Sequence, residues 1–183
     1  MNIVFLIGSY VPHQLVSIKS LITNYNIKAF SFSISKNYTF IPTDIKGLQT
    51  YLSENYSKED LLNKVIQLKP DLVVVSGWFE KKYVWVAKHL YNKYNLPVIS
   101  LSDTQWRGTL SQYINRLISP WHLKKAFSHI WVAGIYQYEY ARKLGFSKDA
   151  FTYSLPILKL IGECESEKET NLIFLSSGIL LAL

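Results

Sequence analysis

Apolar and polar positions alternate along this chain in blocks of strand and helix length. Asn2-Ile3-Val4-Phe5-Leu6-Ile7-Gly8 is a near-continuous apolar run ending in Gly, the pattern of a parallel strand buried on both faces. After Pro12, the spacing Leu15, Ile18, Leu21, Ile22 predicts a helix. Lys28 to Ile34 alternates and predicts a second strand. Residues 35 to 56 are weakly patterned and rich in Asn, Tyr, Ser and Thr, so they read as loop with one short helix.

Ser57 opens the next helix as N-cap, with Glu59 and Asp60 in its first turn and Leu61, Leu62, Val65, Ile66 and Leu68 as its apolar stripe. Pro70 stops it. Asp71-Leu72-Val73-Val74-Val75-Ser76-Gly77 is the clearest strand in the sequence. A helix from about Glu80 to Tyr94 follows, then the strand Pro97 to Leu101. A helical stretch over 109 to 127 places Leu110, Tyr113, Ile114, Leu117 and Ile118 on one face. Ile130 to Gly134 reads as a strand, Tyr136 to Leu144 as a helix ended by Gly145, and Phe151 to Tyr153 as a last short strand.

This order implies βαβ units with right-handed crossovers. The fold class is therefore α/β: a single Rossmann-like domain over residues 1–158, with a mainly parallel sheet and helices on both faces. Residues 159–170 hold Glu163, Glu165, Glu167 and Glu169 and read as an acidic linker. Residues 171–183 read as the remnant of the first strand of a second domain. One strand without neighbours is not stable by itself, so the expectation is that it docks on the first domain or on another chain, or that the product is truncated.

Composition narrows the class. Apolar residues make up 49% and charged residues 18% of the 183, enough for a packed core. The net charge of +7 favours anionic partners. Lys and Arg form only pairs such as Lys81-Lys82 and Lys124-Lys125, so a nucleic-acid partner is not expected. The single Cys164 excludes an intrachain disulfide and a cysteine zinc site. A reducing, cytoplasmic setting fits, with peripheral membrane contact as a further possibility. The apolar start lacks the basic residues of a signal peptide, and no apolar run reaches the length of a membrane span.

Candidate chemistry gathers at strand ends, where open α/β sheets bind ligands. Gly8 and Tyr10 follow the first strand, and His13 opens the first helix as a candidate base or donor. Gly77-Trp78-Phe79-Glu80 either walls a cleft or staples the next helix to the core. Asp103, Trp106 and Arg107 crowd into one turn. Asp103 suits ligand hydroxyls, Trp106 a sugar face, and Arg107 an anion. The plainer alternative is a helix start, with Asp103 as N-cap and Arg107 paired to it. Gly134 and Tyr136 close the last long strand, with Glu139 in the following turn. The GxGxxG, Walker A, Gly-x-Ser-x-Gly and His-Glu-x-x-His patterns are all absent.

Pro97 to Gln112, Ile130 to Gly134 and Tyr138 to Phe146, with the strand Pro70 to Val75 and its Gly77, resemble the amino-terminal domain of family 4 glycosyltransferases, of GT-B architecture. The resemblance covers roughly residues 1–158. It implies an acceptor-binding domain facing a donor-binding domain across a cleft, anomeric retention, and no metal or cofactor beyond a nucleotide-sugar donor as substrate. It places Gly8, Tyr10, Asp103, Trp106, Arg107, Gly134 and Tyr136 on the cleft side, facing a sugar or glycan acceptor. The family's paired-glutamate motif is missing, and no residue is assigned a catalytic role. The expectation is an acceptor-binding half that is inactive alone, because a leaving diphosphate needs electrostatic stabilisation. Two alternatives stand beside it. One is a non-catalytic subunit completed by a donor-domain chain or by self-association through the apolar tail. The other is a module that binds small anions.

Overall fold

A computed structural model describes residues 1–34, 45–152, 172–175 and 178–181, with the side chains of His13 and of residues from 151 onward excepted. Strands β1 (Asn2–Ile7), β2 (Lys28–Ser33), β3 (Leu48–Leu52), β4 (Leu72–Val75), β5 (Val98–Ser102), β6 (His129–Val132) and β7 (Ala150–Thr152) form one sheet in the order β3-β2-β1-β4-β5-β6-β7. Every pairing in it is parallel. The helices are α1 (Pro12–Tyr25), α2 (Lys58–Gln67), α3 (Lys81–Tyr94), α4 (Leu110–Ile118) and α5 (Ile135–Lys143). This is the α/β Rossmann-like fold that the alternation predicts.

Both faces of the sheet are buried, which explains the continuous apolar strands. In β1, Val4 and Leu6 enter a core shared with α2, α3 and α5. Ile3, Phe5 and Ile7 point the other way, into a core that includes Ile18 of α1. β4 divides likewise, Val73 and Val75 to one side, Leu72 and Val74 to the other.

Local signals fix most helix ends. The Ser57 hydroxyl accepts the N–H of Asp60 at 3.1 Å, the expected N-cap. Asn26 and Asn95 end α1 and α3 in the left-handed conformation, which short polar side chains tolerate. Gly145, at φ +92°, ends α5, and the next N–H, of buried Phe146, returns to the Ala141 carbonyl at 3.0 Å.

Three expectations change. The stretch read as loop contains β3, paired in parallel to β2 through Ala29↔Leu48 to Ser33↔Leu52. As an edge strand it keeps Gln49 and Thr50 exposed, so it carries no apolar run. The helix expected over 109–127 stops at Ile118, before Pro120. The tail forms two strands: β8 (Leu172–Leu175) pairs antiparallel with β9 (Gly178–Leu181). The proposed linker, residues 159–170, lies outside the described residues.

Candidate functional site

The strand order reverses at β1, whose neighbours β2 and β4 continue in opposite directions. Such switch points open a crevice beyond the carboxyl ends of the strands. Here Ser76 closes part of it. Its hydroxyl accepts the Gly8 N–H at 2.9 Å, and its own N–H reaches the Leu6 carbonyl at 2.9 Å.

An open cleft of about 700 Å³ lies further along the same edge, beyond β4, β5 and β6. Trp78 and Phe79 line it from the loop after β4. Asp103, Thr104, Gln105 and Arg107 line it from the loop after β5, and Gln137 and Tyr140 from α5. Thr109, Ser111, Gln112 and Asn115 come from the start of α4. Carboxylate, guanidinium, amides and hydroxyls thus share the space with aromatic rings. Phe79 is 77% exposed.

One side chain organises the loop after β5. Gln112 is buried, and its Oε1 accepts the Arg107 N–H at 2.8 Å while its Nε2 donates to the Gln105 carbonyl at 2.8 Å. The same Oε1 accepts the Thr109 N–H at 3.4 Å, closing one half of a capping box. Thr109 is therefore the N-cap of α4, and not Asp103. That leaves the Asp103 carboxylate exposed beside the cleft, while its carbonyl accepts from Gln137 Nε2 at 3.3 Å.

The expected site residues separate accordingly. Asp103 and Arg107 line the cleft. Trp106 packs beside it: its ring lies 5.7 Å from Tyr140 and 5.0 Å edge-on from Tyr113, with Lys143 Nζ 4.8 Å from its centroid. Tyr10 is buried, its ring among the residues under α1 and its hydroxyl against Ser31. Gly8 has open space: an added Cβ would meet only Ser76 Oγ, at 3.9 Å. Gly134 is the extended N-cap of α5, and Tyr136 is exposed on that helix. The His13 side chain lies outside the described residues.

The sequence reading passed over Gln112, Asn115, Gln137 and Tyr140. A signal for the first two existed. Gln112 and Asn115 sit together on the side of α4 away from its apolar stripe, with Ser111 at the border. Asn115 Nδ2 donates to the Tyr140 hydroxyl at 3.3 Å. Burial raises the Tyr140 phenol above its ordinary value, and that hydrogen bond opposes the rise.

No known protein family matches the sequence, and no curated protein matches it either. Solved structures do resemble the fold. Anabaena HepE in complex with UDP superposes with a TM-score of 0.58 at 16% identity, over 83% of this chain and 43% of that one. HepE with UDP and glucose gives 0.57 at 15% identity, over 83% and 44%. A UDP-N-acetylglucosamine 2-epimerase gives 0.50 at 12% identity, over 89% and 55%. The chain thus spans less than half the length of HepE. At these identities the likeness establishes the fold. Among the described residues, no group of His, Cys, Asp and Glu is placed to hold a metal ion, and no helix is long and apolar enough to cross a membrane.

Proposed function

We propose that this chain is the acceptor-binding half of a retaining GT-B glycosyltransferase, and that the cleft beyond β4, β5 and β6 receives a sugar. The observation that carries the reading is the lining of that cleft. Hydrogen-bonding groups of both kinds surround it, and the exposed Phe79 ring stands among them. The Asp103 carboxylate accepts hydrogen bonds from sugar hydroxyls, and the Arg107 guanidinium and the Gln137 amide donate them. Phe79 offers an apolar face to the C–H side of a pyranose ring. The likeness to HepE, which binds UDP and glucose, supports a sugar ligand. On this reading, donor binding and stabilisation of the leaving diphosphate belong to a second domain or partner chain, in a cytoplasmic setting.

Thermal-shift titration of the 183-residue chain against monosaccharides and short glycans tests this, since a ligand selective for the folded state raises the melting temperature. A saturable shift that Asp103→Ala removes is expected. A shift that Asp103→Ala leaves unchanged, or no shift with any sugar, overturns the assignment.

A further inference from the structure

Helix α4 is turned inside out. At 3.6 residues per turn, Tyr113, Leu117, Leu110, Ile114 and Ile118 share an arc of roughly 140°. That arc faces solvent, with Leu110 77% and Leu117 70% exposed. Trp121, just beyond the helix, adds to it at 68% exposed. The helix is held to the body by its polar side. Gln112 grips the loop before it, Asn115 reaches Tyr140, and the buried Ser119 hydroxyl donates to the Leu144 carbonyl at 2.7 Å. An apolar face of this size on a helix anchored by its polar face marks an interaction surface.

Charge selects the occupant. Residues 104 to 138 contain Arg107, Arg116, Lys124 and Lys125 and no Asp or Glu. Lys124 is already engaged with Asp149 and the Gly145 carbonyl and Arg107 faces the cleft, whereas Arg116 and Lys125 are exposed. A Leu/Ile face carrying Trp and Tyr, on a stretch whose charged side chains are all cations, fits an interface of lipid tails and anionic headgroups.

We propose that the α4 face, with Trp121, docks this protein on an anionic lipid bilayer. The apolar residues enter the headgroup boundary and the cations meet lipid phosphates. The opposite side of α4 lines the cleft, so docking holds the cleft about one helix diameter, ~10 Å, from the membrane surface. The inference is independent of the sugar reading, because its test needs no sugar.

The test is co-sedimentation of the 183-residue chain with phosphatidylcholine vesicles, with and without phosphatidylglycerol. Binding is expected only with phosphatidylglycerol, weakening as salt rises. Leu117→Glu should lower it roughly tenfold or more, and Arg116→Glu with Lys125→Glu should also lower it. Val16→Glu, which replaces an exposed aliphatic residue on α1, should leave it unchanged. Melting temperatures equal to the parent's confirm that the variants fold. Trp fluorescence should shift to the blue on binding, and Trp121→Phe should reduce that shift. No vesicle binding, binding indifferent to Leu117→Glu, or equal binding to pure phosphatidylcholine overturns the proposal. So does a Leu117-dependent dimer or protein complex without vesicle binding.

Discussion

Gln112 Oε1 accepts the backbone N–H of Arg107 at 2.8 Å, five residues back along the chain. Through this bond and the partner bond to Gln105, a buried amide on α4 sets the path of the loop that presents Asp103 and Arg107 to the cleft. Gln112→Leu retains the volume and removes the side-chain partner of three backbone groups, the Arg107 and Thr109 N–H and the Gln105 carbonyl. The expected cost is about 1–2 kcal/mol, because the bonds are part-buried and the freed groups on this exposed loop recover water in part. Denaturant unfolding measures the loss. Any ligand-induced thermal shift should weaken in parallel.

Gly77 and Gly8 end neighbouring strands and should respond differently to alanine. Gly77 holds φ +87°, and an added Cβ would stand 3.1 Å from the Phe79 ring. Gly77→Ala should cost about 1–2 kcal/mol in backbone strain and push Phe79 from its place in the cleft. Gly8 has neither a positive φ nor a close neighbour, so Gly8→Ala should stay within about 0.5 kcal/mol of the parent. Thermal melts of both variants check the contrast.

Tyr83 is buried under the carboxyl ends of β1 and β2. Its hydroxyl lies 3.2 Å from the Ile7 carbonyl and 3.1 Å from the Phe32 carbonyl, and its single proton is shared between them. Tyr83→Phe removes this buried donor and should cost about 1–2 kcal/mol. Hydrogen exchange should quicken at the ends of β1 and β2 more than at β6.

Burial holds the His129 imidazole below its ordinary value of 6.5; Asp149 opposes the shift and Lys124 adds to it. The unfolded chain therefore binds a proton at this site at higher pH than the folded one does. The stability from neutral His129 is complete above pH 6.5 and is lost as pH falls from there through the lowered folded value. Melting temperature should drop on acidification across that range. The drop should be smaller in His129→Gln, and an equal drop in both proteins removes His129 as the cause.

Strands buried on both faces were legible as apolar runs, because a parallel strand has no solvent side to interrupt them. Ser57 and Gly145 announced their helix ends, because capping is a contact within a few residues. The edge strand β3 was not legible. It takes its partner from β2 and buries little, so its sequence resembles a loop. The cleft was half legible. Asp103 and Arg107 stand at a strand end, but Gln112 acts on them from within a helix, where an amide has no distinctive local pattern.

The sequence by itself determined the buried strands, the helices that follow them, and which residues share a face, since these follow from period and local hydrogen bonding. It placed Leu110, Tyr113, Ile114, Leu117 and Ile118 together on α4. Only the tertiary structure decided that this face points to solvent while Gln112 and Ser119 point inward. It likewise placed Tyr10 in the core. Periodicity states which side chains travel together. Which way they point depends on what the rest of the chain packs against the helix, and that is set by residues distant in sequence.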